Sequence, residues 1–161
     1  MRTCDETWAA LDDSFKTFMD CLGQLTEDEL TLTQVVGSWT VKDVVSHIWS
    51  WDDEAVHTIK AWLEPRPWQE GVTYDDAWNE AQAAARSALP LLTVVDGVTG
   101  AHRRLMHQLD ILDEAELAKV GGVPWDDKMP LMDFFYSMAE HYAEHVADLK
   151  AYQERCLEGC D

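Results

Sequence analysis

His141 and His145, in the run His141-Tyr142-Ala143-Glu144-His145, put two imidazoles one helical turn apart on one face, where their nitrogens can converge on a single metal ion. That spacing alone is a weak signal. A third imidazole, His47, stands three residues beyond Val44 and four before Trp51, so it flanks an apolar seam in another part of the chain. Three neutral imidazoles suit a borderline divalent ion and leave a position open for water or substrate, as in catalytic rather than purely structural zinc sites. Water on such an ion becomes acidic enough to supply hydroxide near neutral pH, and a bound thiol is held as thiolate. Glu144 shares the helix side of His141 and His145, and Glu54 lies two turns beyond His47; either can orient a ligand or shuttle a proton. Each histidine alone is more often a partly buried packing residue, so the weight rests on all three meeting at one point.

Periodicity defines the elements that must bring them together. The main helices are expected at 4–22, 41–63, 74–109 and 131–155. The first begins at Thr3, with Glu6 at capping-box spacing, and turns Trp8, Leu11, Phe15, Phe18 and Leu22 inward until Gly23 stops it. Thr26 and Glu29 mark a short helical turn, and Thr31 to Ser38 reads as connecting loop. The second long helix has the clearest start, with Thr40 as cap and Asp43 three residues on. It carries Val41, Val44, Ile48, Trp51, Ala55, Thr58 and Trp62 inward, and ends at Pro65 and Pro67. Thr73 and Asp76 open the third stretch, read as one helix kinked at Pro90 or as two abutting helices through Leu109. Asp110 to Met129 reads as a long loop containing a turn at Asp113–Leu117, and Pro130 enters the last helix. Four long helices without an alternating strand pattern predict an all-α four-helix bundle, with His141 and His145 edging the apolar face of its last helix.

The order Trp39-Thr40-Val41-Lys42-Asp43-Val44-Val45-Ser46-His47-Ile48-Trp49-Ser50-Trp51, followed much later by His141-Tyr142-Ala143-Glu144-His145, resembles the DinB/YfiT-like superfamily of four-helix-bundle metalloenzymes. The resemblance spans most of the chain. It implies a metal triad of His47, His141 and His145 for a divalent transition metal, zinc or nickel before others. Trp78-Asn79-Glu80 and Leu112-Asp113-Glu114-Ala115-Glu116-Leu117 are also similar to the ClbS/DfsB-like branch. By resemblance the chain is expected to be a metal-dependent enzyme acting on a small electrophile or thiol conjugate, as transferase, isomerase or hydrolase. Its expected partners are a small-molecule substrate, such as a low-molecular-weight thiol, and a second copy in a homodimer. The alternative is a non-catalytic small-molecule-binding or resistance protein of ClbS-like type, holding a hydrophobic compound among its tryptophans. A bundle serving only as an interaction module is a third reading.

Composition narrows the partners. With 161 residues, 47% of them apolar, the chain is long enough to bury a sizeable core and is read as one domain, 1–161. A formal charge of −19 repels phosphate backbones and anionic membranes, which argues against nucleic acid and membrane partners. The absence of a long apolar run and of an apolar leader predicts a cytoplasmic protein. Cys4, Cys21, Cys156 and Cys160 lack CxxC spacing and read as reduced thiols, although Cys156 and Cys160 can pair if their geometry allows. Eight tryptophans point to an aromatic core or pocket, with Trp39, Trp49, Trp51 and Trp125 as candidate walls. The acidic pairs Asp12-Asp13, Asp52-Asp53 and Asp75-Asp76 read as solvated faces or first-turn charges. His102 reads as a core residue, and His57 and His107 as surface ones.

Overall fold

Local capping chemistry decides where the helices begin. The computed structural model describes residues 3–64, 72–124 and 128–158. Helix α1 (Cys4–Gly23) starts at Thr3, whose hydroxyl accepts from the Glu6 N–H while the Glu6 carboxylate accepts from the Thr3 N–H. The same reciprocal pair opens the short α2 (Glu27–Thr31) at Thr26 and Glu29, and the long α3 (Val41–Leu63) at Thr40 and Asp43. Pro65 and Pro67, expected to end α3, lie outside the described residues, as do Trp125 and Cys160.

The stretch read as 74–109 is two helices, α4 (Asp76–Arg86) and α5 (Leu91–Ile111). Asp75 rather than Thr73 caps α4, accepting from the Trp78 N–H at 3.0 Å. Pro90 precedes the first turn of α5, where its missing N–H leaves no helical bond unmade. After α5 come α6 (Glu114–Leu117), capped by Asp113 and Glu116, and the final α7 (Leu131–Glu158).

Two connections are more ordered than their sequence suggests. The stretch expected as loop from Thr31 to Ser38 contains β1 (Gln34–Val36), which pairs antiparallel with β2 (Trp39–Thr40). Gly37 makes the turn between them at φ +54°, in the left-handed region that suits glycine. The long loop expected before the last helix contains β3 (Val120–Gly122) paired antiparallel with β4 (Lys128–Pro130). Pro130 therefore closes a strand rather than entering the helical turn. Strands of two or three residues are too short to show a period, so their pairing is invisible in the sequence.

α1, α3, α5 and α7 form the four-helix bundle. α3 lies along α5 and α1 along α7, while α1 also touches α5 and α3 touches α7. The helices carrying His47 and His141 are thus lateral neighbours despite their separation in sequence. α4 packs on the outside of α3 and is tied to it: Lys42 Nζ donates to the Ser87 carbonyl at 2.7 Å, Arg86 to Ser50 Oγ at 2.7 Å, and Trp51 Nε1 to Asn79 Oδ1 at 3.0 Å. The close approach of α5 to α3 depends on Gly97, where an added Cβ would stand 2.4 Å from the Trp49 ring. Among the described residues no helix is long and apolar enough to cross a membrane.

Leu11, Phe18, Ile48, Leu105, Phe134, Phe135 and Leu149 are among the side chains filling the core, and each such side chain contributes roughly 1.5–3 kcal/mol by leaving water. Two inward and outward assignments reverse. Trp8, expected inward, is 39% exposed and donates to Asp110 Oδ1 at 3.0 Å, while its neighbour Thr7 is buried. Asp52, expected on a solvated face, is fully buried, whereas Asp53 stays partly exposed and pairs with Arg104 at 2.6 Å.

What holds Asp52 is Tyr142 of α7. The phenol donates to both carboxyl oxygens at 2.8 Å, and His102 Nδ1 of α5 meets the same hydroxyl oxygen at 3.0 Å. With the Tyr142 proton given to Asp52, His102 Nδ1 carries a proton and donates. Burial lowers the His102 pKa to about 4, so the ring is neutral, and its face stacks on Phe15 with centroids 3.8 Å apart. Burial also pushes the Asp52 carboxyl well above its usual range, against the opposing effect of the tyrosine bond. This one hydroxyl joins three of the four bundle helices. Tyr142→Phe keeps the ring but strands Asp52 and His102 without their partner, and is expected to lower unfolding free energy by ~1–3 kcal/mol in urea titration. An unchanged midpoint and slope would contradict that role.

Candidate metal centre

The two turns of α7 containing His141 and His145 face the part of α3 containing His47. His47 Nε2 lies 3.0 Å from His141 Nε2, which lies 3.1 Å from His145 Nε2. All three ligand nitrogens fall within 4.8 Å of one another, so the structure brings the three sequence-predicted imidazoles to one point. Nitrogens bound tetrahedrally at ~2.0–2.1 Å stand ~3.3–3.4 Å apart, close to the two spacings that His141 makes with His47 and His145.

Burial sets their charge state. Desolvation lowers the His47 pKa to about 3, with the nearby His145 adding to the effect. Desolvation likewise holds His141 well below the ordinary imidazole range, reinforced by both neighbouring rings. His145 is lowered by burial too, although Asp148 opposes the shift. Neutral imidazoles are the form that binds a metal.

The hydrogen bonds favour the same conclusion. Asp148 Oδ2 lies 3.1 Å from His145 Nδ1, so a proton on that nitrogen leaves Nε2 as a lone pair aimed at the other two rings. An N–H···N bond between rings can satisfy one facing pair at a time, whereas a divalent ion accepts all three lone pairs together. His47 Nδ1 is buried with no protein partner among the described residues, so this ring, unlike that of His145, has no carboxylate to set its tautomer. The donor set therefore fits a divalent transition ion of borderline softness.

A cavity of about 450 Å³ opens over His47 and His141, with Trp51, Asn79, Ser137, Met138, Glu140 and Glu144 around it. Trp51 is held between the Asn79 bond and the ring of Trp78, whose centroid is 4.9 Å away. Trp39 packs against His47 from another side, with centroids 5.0 Å apart. Trp49 does not line the cavity; its ring instead lies under the Arg86 guanidinium, 4.5 Å from the centroid.

The two candidate carboxylates are placed differently. Glu144 lines the cavity and is exposed to solvent. Glu54 does not line it and accepts from the Tyr74 hydroxyl at 2.5 Å. His102 belongs to the buried Tyr142 network, and His57 and His107 are exposed. Sequence reasoning assigned no role to Asp148, Asn79 or Glu140. The i, i+3 spacing of His145 and Asp148 was the available signal for the first, but the positions of the other two depend on how α4 and α7 pack.

Residues 10–149 match the family model of the DinB superfamily. No curated protein matches the chain by sequence. Among solved structures, the mycothiol-dependent maleylpyruvate isomerase aligns with a TM-score of 0.75 at 12% identity, over 92% of this chain and 61% of that one. The chain thus spans about three-fifths of that isomerase. YfiT from Bacillus subtilis, described as a probable metal-dependent hydrolase with an unusual four-helix bundle topology, aligns with a TM-score of 0.74 at 19% identity over 95% of this chain and 87% of its own. TT2238, a four-helix bundle protein, aligns with a TM-score of 0.67 at 20% identity over 92% and 99% of the two chains. At such identities these likenesses establish the fold.

The Asp148 contact generates its own test. Asp148→Asn replaces an anionic acceptor by a neutral one and loosens the orientation of His145, so zinc affinity should fall ~10-fold or more in competition with a chromophoric chelator. Equal affinity in the variant would show that Asp148 does not act through His145.

Proposed function

The chain belongs to the DinB superfamily, and on that premise we propose that it is a metal-dependent enzyme acting on a small electrophile or thiol conjugate. The observation that carries this reading is the convergence of His47, His141 and His145, the first two of which line an open cavity. When bound, a divalent ion, with zinc or nickel the leading choices, supplies Lewis acidity and lowers the pKa of an oxygen or sulfur ligand. His145, oriented by Asp148, and His47, walled by Trp39, hold their lone pairs in place without reorganisation. Trp51 and Met138 give the cavity apolar surface that excludes water from one side of a ligand, while Asn79 and Ser137 offer polar contacts.

Glu144 is the carboxylate we assign to proton transfer, because it lines the cavity beside His141 and remains open to solvent with which it can exchange a proton. We assign Glu54 an indirect part: its bond fixes Tyr74, which packs against Trp51 and Trp78 with centroids 5.8 and 5.1 Å away. The same aromatic group favours a second reading, a ClbS-like protein that sequesters a compound without turning it over. Transfer, isomerisation and hydrolysis are all within reach of such a site. The neighbour named as mycothiol-dependent supports a low-molecular-weight thiol as partner or co-substrate.

Metal analysis separates the readings. The intact chain should take up one zinc or nickel ion per protomer, and His141→Ala should weaken binding by more than the ~10–100-fold typical of losing an orienting residue. Alanine at all three histidines should abolish both metal uptake and turnover. Failure of the intact chain to bind any divalent ion, or unchanged activity in the triple variant, would sink the enzymatic reading. We also propose a single cytoplasmic domain that assembles as a homodimer. Sedimentation equilibrium should then give twice the protomer mass, and a monomer across the accessible concentration range would refute the assembly.

A further inference from the structure

The cavity over the triad has a charge pattern that its histidines do not explain. Glu140 and Glu144 stand one turn apart on α7, both exposed and both on its wall. Neither makes an ion pair with another described residue, and among the described residues no Lys or Arg lines the cavity. Trp51 adds an indole beside His47 and His141, with ring centroids 6.3 and 6.2 Å away. Two carboxylates and an indole around one opening favour a positive ligand group, through charge attraction and through the ring quadrupole. They disfavour a negative one.

From this geometry we infer that the molecule taken by this site carries an amine, seated as ammonium between Glu140, Glu144 and Trp51 while another group reaches the triad. The inference rests on the metal-dependent reading and narrows its substrate class to amine-bearing small molecules. The charge division is self-consistent. A divalent ion held by three neutral imidazoles would attract an electron-rich atom such as sulfur or oxygen, and the two carboxylates on the cavity wall attract the opposite end of the same molecule. A purely anionic substrate gains at the ion but is repelled at the mouth. Since both carboxylates are exposed, their effect is modest and weakens with added salt.

Three thiols of matched size test this on the zinc-loaded full chain: cysteamine with an ammonium end, 2-mercaptoethanol with a neutral end, and 3-mercaptopropionate with a carboxylate end. Affinities are read by calorimetry and by the sulfur-to-metal absorption of cobalt-loaded protein. Cysteamine should bind tightest and 3-mercaptopropionate weakest. Glu140→Gln and Glu144→Gln should each shrink the cysteamine preference over 2-mercaptoethanol about threefold, and the double variant roughly tenfold. Differences in thiol acidity are the same for both proteins and cancel in that comparison.

Equal affinities for the three thiols, a cysteamine preference that the double glutamine variant leaves unreduced, or no thiol binding to metal-loaded protein would each overturn the inference. Metal content is measured on the same samples, so a failed triad is seen separately. The metal-free chain titrated by ligand-observed NMR with benzylamine and benzyl alcohol reads the mouth alone. Preference for benzylamine that is lost in the double variant supports the ammonium seat even if the triad takes no metal, and its absence counts against the seat.

Discussion

A single buried hydroxyl, that of Tyr142, fixes how three helices stand against one another. It bonds Asp52 on α3 and His102 on α5 from a position one residue after His141 on α7. A buried carboxyl without partners is costly, so sliding or rotating α7 against α3 breaks bonds that no nearby group replaces. The cost of leaving that register is local to the triad. Asp52 lies five residues, about one and a half turns, beyond His47, so the bond that sets the helix register also sets the distance between His47 and His141. Apolar packing alone would tolerate small slides, because methyl and ring surfaces are interchangeable in a way that a hydrogen bond is not.

Desolvation then gives the site its chemistry. His47, His141 and His145 sit at the edge of the same core that shields Tyr142, and burial works against the charged form of each. Repulsion between rings acts in the same direction for His47 and His141. Asp148 opposes the trend only at His145, where its bond to Nδ1 orients the ring. The ligand atoms are thus kept neutral by the absence of water, while one carboxylate outside the trio controls a tautomer. The environment that stabilises the core is thus the same one that keeps the imidazoles neutral.

Much of this was legible because its signals are local. Thr3 with Glu6, Thr26 with Glu29 and Thr40 with Asp43 need only three residues of sequence to mark a helix start, and each forms as the spacing implies. The histidines were legible for a related reason: i, i+4 places His141 and His145 on one face, and resemblance supplied His47. Asp52 was not legible. Its neighbour Asp53 meets solvent and Arg104, and what distinguishes the two is a tyrosine ninety residues away in sequence. Trp8 and Thr7 reverse for the same kind of reason, because the indole N–H finds Asp110 at the surface and a smaller side chain fits inside. The two hairpins escaped because pairing, rather than composition, makes them strands.

The last helix shows how tightly these demands are coupled. Over six residues, α7 turns Tyr142 to the core, His141 and His145 to the triad, and Glu140 and Glu144 to the cavity wall. Adjacent helical positions differ by about 100°, so a shift of one residue would put Tyr142 where His141 stands and carry a phenol into the triad. No alternative register offers three imidazoles, a buried partner for Asp52 and an acidic rim together. The helix therefore has one arrangement that satisfies its polar groups, and that arrangement places the three converging imidazoles between an apolar interior and a negatively charged mouth. Core, triad and rim are three faces of one register, which is why the buried hydroxyl that stabilises the bundle also governs the chemistry at its edge.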